Sequence, residues 1–325
     1  MKAVTCRAFA PYTQLQVEEV PAPVPGPGEV LIEVRAAGVN FMDALMVEGK
    51  YQSRPPFPFS PGAEVSGVVR ALGPDAEGLK PGTRVMASAG HGGYAEQIVV
   101  SATQAFAIPD SMPDADAAAT VVVYGTSYHA LKERADLRPA ETLLVLGAAG
   151  GVGLTAVELG KRLGARVIAA ASSDEKLALC RRYGADATVN YQREDLRERV
   201  KDLTDGRGVD VVYDPVGGPY AEPMIRALAP GGRFLVVGFA AGEIPKIPLN
   251  LLLLKQASAV GVFYGGWARA HPAKNADNMA VMLDWYARGQ LRPHISRSYP
   301  LAEFAEALRQ VVDRVAQGKV ILTMG

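Results

Sequence analysis

The sequence predicts an α/β protein with two domains, an antiparallel β-barrel or sandwich followed by a doubly wound parallel sheet. Three observations support this fold class. The chain has 325 residues, and a domain typically takes about 100–200 residues. Up to Val121, short apolar segments are separated by Gly- and Pro-rich turns, which is typical of antiparallel sheets. From Glu141 onward, apolar strands alternate with helices, which is typical of a parallel sheet.

Seven short strands are predicted in the first part of the chain. Turn-forming segments such as Pro21–Gly28 and Lys80–Thr83 separate several of them, because Gly and Pro interrupt strand ladders and favour turns. Strands at this spacing indicate antiparallel pairing. The predicted strands are Lys2–Cys6, Leu15–Val20, Glu29–Ala37, Glu64–Ala71, Arg84–Ala87, Tyr94–Val100 and Ala105–Ile108.

Strands and helices are predicted to alternate from Thr142 onward, and this alternation implies one parallel sheet covered by helices on both faces. The predicted strands are Thr142–Gly147, Arg166–Ala171, Ala187–Asn190, Val209–Asp214, Gly232–Phe239 and Ser258–Phe263. The helices between them are Gly151–Leu163, Asp174–Tyr183 and segments near Arg193–Leu203 and Tyr220–Leu228. Beyond the sheet, helices near Asn275–Arg288 and over Leu301–Ala316 precede a last strand at Val320–Thr323.

Charge and composition disfavour several classes of function. Lys plus Arg and Asp plus Glu each number 34, so the net charge is zero, whereas nucleic acids and anionic membranes attract a basic excess. The N-terminus lacks the apolar stretch of a signal peptide, and no apolar run approaches the ~20 residues that span a bilayer. We therefore expect a cytoplasmic protein. Cys6 and Cys180 are far apart and the four His are scattered, so we expect no metal site.

The most informative segment is the glycine-rich turn after the strand Thr142–Gly147. The turn continues as Ala148-Ala-Gly-Gly-Val-Gly153 and opens a helix. Glycines let the backbone approach a pyrophosphate, and the free N–H groups and helix dipole attract its charge. The strict G-x-G-x-x-G pattern fails at Ala148, and a plain tight turn is the alternative. The strand–helix–strand context favours a dinucleotide site formed by Ala149, Gly150, Gly151, Val152 and Gly153.

The end of the second parallel strand indicates which cofactor is bound. NAD-binding proteins usually place an Asp or Glu there to bind the ribose 2′-hydroxyl. This strand ends in three alanines, and Ser172, Ser173 and Lys176 follow. We therefore predict NADP(H) rather than NAD(H). Two alternatives stay open: a serine that only caps the next helix, and Asp174 as a late acid for the ribose.

Six segments resemble the medium-chain dehydrogenase/reductase superfamily, specifically its zinc-free quinone oxidoreductase branch. They are Arg35–Asp43, Pro61–Val69, Gly92–Glu96, Gly147–Gly153, Gly208–Asp214 and Gly231–Phe234. The resemblance implies a chaperonin-10-like antiparallel barrel as catalytic domain, formed by residues 1–122 and 266–325. It implies a Rossmann NADP(H)-binding domain over residues 123–265.

The same resemblance implies a reaction without zinc. Zinc-dependent relatives carry a catalytic Cys in the segment that is Gly38–Asn40 here, and a Gly-His-Glu where this chain has Gly62-Ala63-Glu64. Losing the metal removes the Lewis acid that alcohol oxidation uses. Hydride transfer from NADPH to a quinone or related α,β-unsaturated carbonyl remains feasible, because hydrogen bonds can stabilise the developing enolate oxygen.

The resemblance also implies roles for individual residues. Asn40 and Asp43 would border the nicotinamide, with turn chemistry as the alternative, and Tyr51 would donate a hydrogen bond or proton to the substrate or only line the wall. The expected cofactor contacts are Thr126 at the nicotinamide, Ser172, Ser173, Lys176, Tyr191 and Arg314 at the 2′-phosphate, and backbone groups of Val237, Gly238, Phe239, Val262, Phe263 and Tyr264 at the nicotinamide ribose and carboxamide. An exposed helix face is the alternative for Arg314.

Two other functions are compatible with the sequence: a thioester reductase and a non-catalytic NADPH-binding protein. An enoyl- or acryloyl-thioester reductase would need basic residues for the CoA phosphates, for which Arg54, Arg269 and Lys274 are candidates. A crystallin-like NADPH-binding protein would have no catalytic activity.

We expect a homodimer joined along the strand near Ser258–Phe263, because an apolar sheet edge is usually paired or covered.

Overall fold

The computed structural model describes all 325 residues, which form two compact units. Unit 1 contains Met1–Val122 and Gly265–Gly325, and unit 2 contains Val123–Tyr264. None of the helices combines the length and apolar character that crossing a membrane requires.

The elements follow one another in this order along the chain. The strands are β1 Lys2–Thr5, β2 Gln16–Glu19, β3 Glu29–Val39, β4 Glu64–Leu72, β5 Arg84–Ser88, β6 Gln97–Ser101, β7 Ala105–Ala107, β8 Thr142–Val145, β9 Arg166–Ala171, β10 Ala187–Asn190, β11 Val209–Asp214, β12 Leu228–Val236, β13 Ser258–Gly261, β14 Ile295–Pro300 and β15 Lys319–Thr323. The helices are α1 Phe41–Val47, α2 Asp114–Ala118, α3 Val121–Tyr128, α4 Gly151–Arg162, α5 Asp174–Arg182, α6 Leu196–Leu203, α7 Ala221–Arg226, α8 Asn250–Lys255, α9 Tyr264–Ala270, α10 Pro272–Ala287 and α11 Phe304–Val312. A π-helical segment, His129–Arg134, continues α3.

Unit 1 is built on a seven-stranded sheet in the order β14-β15-β3-β4-β5-β7, with β6 also paired to β3. All pairs are antiparallel except β14 with β15. The long strand β3 organises the sheet, because its first half pairs with β6 and its second half with β15. Valines and alanines of β3 and β4 face a buried core that also receives Met46 and Leu308. The predicted antiparallel domain is therefore confirmed.

Unit 2 is built on a six-stranded parallel sheet in the order β10-β9-β8-β11-β12-β13. From β8 the chain adds strands first in one direction, through β9 to β10, and then in the other, through β11 to β13. The helices that follow β8 and β11 therefore lie on opposite faces of the sheet. In open α/β sheets, ligands bind outside the carboxyl ends of the strands at this reversal. The glycine-rich turn follows β8 and therefore lies at that position. The predicted doubly wound parallel sheet is confirmed.

Some elements differ from the sequence-based expectation. The strand β12 begins at Leu228 and ends at Val236, so Val237–Phe239 lies in the loop after the strand rather than within it. The strand β14 was not predicted, because its residues alternate poorly and most of them are exposed. The helix α1 was also not predicted, and it positions two of the candidate catalytic residues.

Candidate active site and dinucleotide-binding site

The glycine-rich turn brings its backbone into close contact with the start of α4. A Cβ atom at Gly153 would lie 2.2 Å from the carbonyl oxygen of Gly147, so no side chain fits at this position. Gly147 itself has a φ of +55°, which glycine adopts without strain. At Gly150, by contrast, a Cβ atom would meet only the carbonyl oxygen of Gly147, at 3.4 Å. The turn is therefore packed on its inner side and open at Gly150.

The N-terminus of α4 has no side-chain cap. Its N-cap residue, Gly150, makes no side-chain capping bond, and its first turn holds no acidic residue. The first N–H groups of a helix lack intrahelical acceptors and carry partial positive charge. This 12-residue helix therefore fits a phosphate group, which such N-termini bind.

Three buried hydroxyl groups fix the first turns of α4 against the rest of unit 2. The hydroxyl of Ser127 donates to the carbonyl oxygen of Val152 at 2.9 Å, and it lies 2.8 Å from Thr155 Oγ1 and 2.9 Å from the hydroxyl of Tyr213. Thr155 in turn donates to the carbonyl oxygen of Val123 at 3.1 Å. Sequence reasoning missed this network, because its members come from three separate elements.

Two serines and a lysine cluster at the end of β9. Ser173 caps α5, and its hydroxyl accepts the backbone N–H of Lys176 at 3.3 Å. The ammonium group of Lys176 donates to the hydroxyl of Ser172 at 3.4 Å. Helix capping, the alternative role of the serines, is therefore present at Ser173, whereas the hydroxyl of Ser172 contacts the ammonium group of Lys176.

Asp174, the alternative ribose ligand, points its carboxylate to other partners. Its Oδ1 accepts the side-chain amide of Asn190 at 2.7 Å, and its Oδ2 accepts Nη1 of Arg193 at 2.6 Å. Both oxygens of this carboxylate therefore have a partner, and the ion pair with Arg193 lies on the surface, with the two side chains 73% and 62% exposed.

The remaining predicted cofactor residues lie mostly at the carboxyl ends of the strands of unit 2. Tyr191 follows β10, and its ring centroid lies 4.9 Å from that of Tyr220. Thr126 is half-buried in α3. The loop after β12 carries Val237, Gly238 and Phe239, and Val262, Phe263 and Tyr264 follow β13. Arg314 belongs to unit 1, where it is exposed after α11 with a φ of +57°.

In unit 1, Asn40 and Asp43 form the N-terminus of α1. The backbone N–H of Asn40 donates to Oδ2 of Asp43 at 2.9 Å, which is one half of a capping box. Both residues are buried, with 8% and 0% of their surface exposed. The turn chemistry considered as their alternative role is therefore present, and it is combined with burial.

The carboxyl group of Asp43 is in an unusual environment. Its Oδ2 also accepts the hydroxyl of Tyr94 at 2.8 Å, whereas its Oδ1 is buried without a hydrogen-bond partner. Burial raises the pKa of Asp43 to about 6, although the hydrogen bonds from Asn40 and Tyr94 lower it. A protonated Asp43 is therefore populated close to neutral pH.

A buried ion pair lies next to Asn40. The ammonium group of Lys319 donates to Glu64 Oε1 at 2.7 Å, to Asn40 Oδ1 at 2.8 Å and to the carbonyl oxygen of Val39 at 2.8 Å. Glu64 Oε1 also accepts the amide of Asn40 at 3.0 Å, and Glu64 Oε2 accepts the N–H of Val122 at 2.8 Å. The side chains of Lys319 and Glu64 are only 4% and 0% exposed. Sequence reasoning did not predict this pair.

Tyr51 is the most accessible of the three candidate catalytic residues. Its side chain is half-buried, and burial together with the charge of Asp43 raises the pKa of Tyr51, against a smaller lowering by Arg269. The phenol therefore keeps its proton near neutral pH. Next to Glu64, Ala63 is 2% exposed and carries no donor atom, and no group of three or more His, Cys, Asp or Glu side chains could hold a metal ion.

Comparison with known proteins identifies the family. A model of the alcohol dehydrogenase GroES-like domain matches residues 26–110, and a model described as zinc-binding dehydrogenase matches residues 151–281. Quinone oxidoreductase-like protein 2 from Bos taurus is 41% identical over 312 residues, which cover 95% of this chain and 89% of that protein. The chain belongs to the zinc-free quinone oxidoreductase branch of the medium-chain dehydrogenase/reductase superfamily.

Solved structures of other members of this quinone oxidoreductase branch have the same fold. The Escherichia coli quinone oxidoreductase complexed with NADPH superposes with a TM-score of 0.94 at 28% identity, covering 99% of this chain and 100% of that one. The quinone oxidoreductase from Thermus thermophilus, also solved in complex with NADPH, gives a TM-score of 0.86 at 34% identity, covering 99% and 100%. The predicted family and fold class are confirmed.

Proposed function

We propose that this protein is an NADPH-dependent reductase that transfers hydride to quinones or related α,β-unsaturated carbonyls without a metal. The observation that carries the proposal is the environment of Glu64. Where zinc-dependent relatives have Gly-His-Glu, this chain has Ala63, and both oxygens of Glu64 accept hydrogen bonds from within unit 1. The ammonium group of Lys319 contacts Glu64 in this region, which supports a reaction that relies on hydrogen bonds rather than on a Lewis acid.

The proposed cofactor site lies in unit 2. The pyrophosphate would bind the N-terminus of α4 at Ala149–Gly153, and the 2′-phosphate would bind Ser172, Ser173 and Lys176. A phosphate is acceptable there because Asp174 is already paired with Arg193. The NADPH complexes of the Escherichia coli and Thermus thermophilus relatives support this choice.

The other residues predicted to contact NADPH would bind its nicotinamide half and its 2′-phosphate. Thr126 would pack against the nicotinamide, and Tyr191 would border the 2′-phosphate. The backbone of Val237, Gly238, Phe239, Val262, Phe263 and Tyr264 would hold the nicotinamide ribose and carboxamide. When bound, NADPH supplies the hydride.

Tyr51 is the proposed proton donor to the acceptor oxygen. Its raised pKa keeps the hydroxyl protonated, so it can donate a hydrogen bond as negative charge develops on that oxygen. Asn40 and Asp43 are 8% and 0% exposed and take part in the capping box of α1. We assign them a positioning role, because they fix the start of α1, the helix that leads to Tyr51.

The test is to follow NADPH oxidation without oxygen, using 1,2-naphthoquinone, a simple enone and crotonyl-CoA side by side. We expect turnover of the quinone and the enone that persists after chelation, and a loss of about tenfold or more in kcat for Tyr51→Phe. Preferential turnover of crotonyl-CoA would favour a thioester reductase. Tight NADPH binding with no turnover of any acceptor would favour a non-catalytic binding protein.

We also propose that two copies pair through β13. This strand is the last in its sheet, so its outer edge has no strand beside it, and Ser258 and Ala259 are exposed. On the preceding helix α8, Leu253 and Leu254 are 75% and 72% exposed. An open sheet edge next to exposed leucines is typical of an interface between copies.

A further inference from the structure

Unit 1 carries a row of aromatic side chains on its surface, which we call the phenylalanine strip: Phe9, Phe57 and Phe59. The ring centroids of Phe9 and Phe57 are 4.8 Å apart in an edge-to-face arrangement, and those of Phe57 and Phe59 are 5.7 Å apart and nearly parallel. Phe59 is 6% exposed and forms the buried base, whereas Phe9 and Phe57 are each 43% exposed. Two large rings thus remain accessible in a fixed arrangement.

The strip is attached to the segment that carries Tyr51. The ring of Phe9 lies against Gly49, where a Cβ atom would be only 2.9 Å from Phe9 Cγ and where φ is +70°. The N–H of Ala10 donates to the carbonyl oxygen of Val47 at 3.0 Å, which holds Phe9 at the end of α1. Two residues span at most about 7 Å of chain, so the backbone of Tyr51 lies within about 7 Å of Gly49, the residue that Phe9 contacts.

A cation without a carboxylate partner completes this surface. Cζ of Arg54 lies 5.9 Å from the ring centroid of Phe9, within cation–π distance. Arg54 makes no ion pair and is exposed. Its guanidinium is therefore available to a ligand that also stacks on the exposed rings, because arginine binds planar anions through several donors at once.

We propose that Phe9, Phe57 and Arg54 form a subsite for an aromatic acceptor that carries an anionic substituent, with the acceptor's carbonyl placed at Tyr51. This inference rests on the proposed function for its catalytic part. The rings supply apolar contact for a fused aromatic system, and Arg54 supplies the complementary charge. Phe9 and Phe57 are each 43% exposed, which leaves roughly 85 Å² accessible on each if a phenylalanine side chain has about 200 Å². Covering half of this apolar area with a ligand changes the affinity about tenfold.

Direct binding tests the subsite independently of turnover. The probe is 2-naphthalenesulfonate, an aromatic anion that cannot accept hydride, titrated calorimetrically into the full chain. We expect Phe57→Ala to weaken its Kd about tenfold and Arg54→Gln to weaken it about threefold. The matched controls are Val24→Ala, an apolar residue 86% exposed, and Lys80→Gln, which changes the net charge equally; both should leave the Kd unchanged. Failure of the probe to bind, or equal effects of Lys80→Gln and Arg54→Gln, would overturn the proposal.

Turnover then tests the catalytic part. Arg54→Gln should lower kcat/KM about threefold more for 1,2-naphthoquinone-4-sulfonate than for 1,2-naphthoquinone. Because the variant is compared with the wild type on the same quinone, the intrinsic reactivity of each quinone cancels. Phe57→Ala should lower kcat/KM for both naphthoquinones more than for 1,4-benzoquinone. If neither the quinones nor the simple enone is reduced while the sulfonate probe still binds as expected, the proposed function fails and the subsite stands. If quinones are reduced and these ratios do not change, the subsite is wrong and the proposed function stands.

Discussion

Replacing Lys319 by methionine should destabilise unit 1 strongly. Methionine keeps an unbranched side chain one atom shorter than that of lysine and lacks the ammonium group, which leaves the carboxylate of Glu64 buried with 0% exposure and without its cation. Breaking a buried ion pair by removing one partner typically costs 3–5 kcal/mol. For a unit of about 150–250 residues, where 1 kcal/mol corresponds to ~2–4 °C, this cost lowers Tm by roughly 6–20 °C.

Tryptophan fluorescence measures this effect in the right part of the molecule. Both tryptophans, Trp267 and Trp285, belong to unit 1, so their emission during urea unfolding reports the free energy of unfolding of that unit. The control is Lys80→Met, an exposed lysine for which we expect a change within about 0.5 kcal/mol.

A double variant separates charge from packing. Adding Glu64→Gln to Lys319→Met removes the uncompensated charge while leaving an oxygen to accept the N–H of Val122, so the double variant should be more stable than Lys319→Met alone. If Lys319→Met costs less than about 1 kcal/mol, or if the double variant is no more stable, the pair does not contribute as the structure indicates.

Three further changes test other parts of the structure. Lys176→Ala should weaken NADPH binding about tenfold and leave NADH binding nearly unchanged, because one charge-assisted hydrogen bond is worth roughly 1.5–3 kcal/mol. Steady-state kinetics with both cofactors measure this difference. If the variant loses both cofactors equally, Asp174 becomes the better candidate for selecting the ribose. Because burial raises the pKa of Asp43 from 3.8 to about 6, the folded state holds this proton more tightly than the unfolded chain. This contribution to the free energy of unfolding is fully present below pH 3.8, and about 3 kcal/mol of it is lost as the pH rises through 6. Urea titrations of Asp43→Asn from pH 4 to 7 should not show this decline. Finally, Leu253→Glu combined with Leu254→Glu should give a monomer by light scattering, whereas a wild-type monomer at micromolar concentration would contradict the dimer.

The parts of the fold that depend on neighbouring residues could be predicted from the sequence. The turn before Gly153 was recognisable because a strand, glycines and a helix follow one another directly. Asn40 and Asp43 stand at capping-box spacing, which is a local signal for α1, but the role predicted for them lay beside the nicotinamide, with turn chemistry as the alternative, and no helix was predicted. In both cases the physical cause lies within a few residues of the chain.

Long-range pairing explains what could not be predicted. The contact between Lys319 and Glu64 joins residues 255 positions apart, and it depends on β15 lying antiparallel to β3 with Val320 opposite Val39. Nothing near Lys319 in the sequence distinguishes it from an exposed lysine. The partner of Asp43, Tyr94, is likewise brought in from 51 residues away, so burial of the candidate site became visible only in three dimensions.

The position of Lys319 has a consequence for synthesis on the ribosome. Unit 2 is one continuous segment, so it can fold as soon as Tyr264 has emerged. Unit 1 begins first but ends last, because Glu64 must wait 255 residues for its cation, or about 13–50 s at ~5–20 residues per second. During this interval the carboxylate of Glu64 cannot pair with Lys319, and β15 can join β3 only after its own residues have been synthesised.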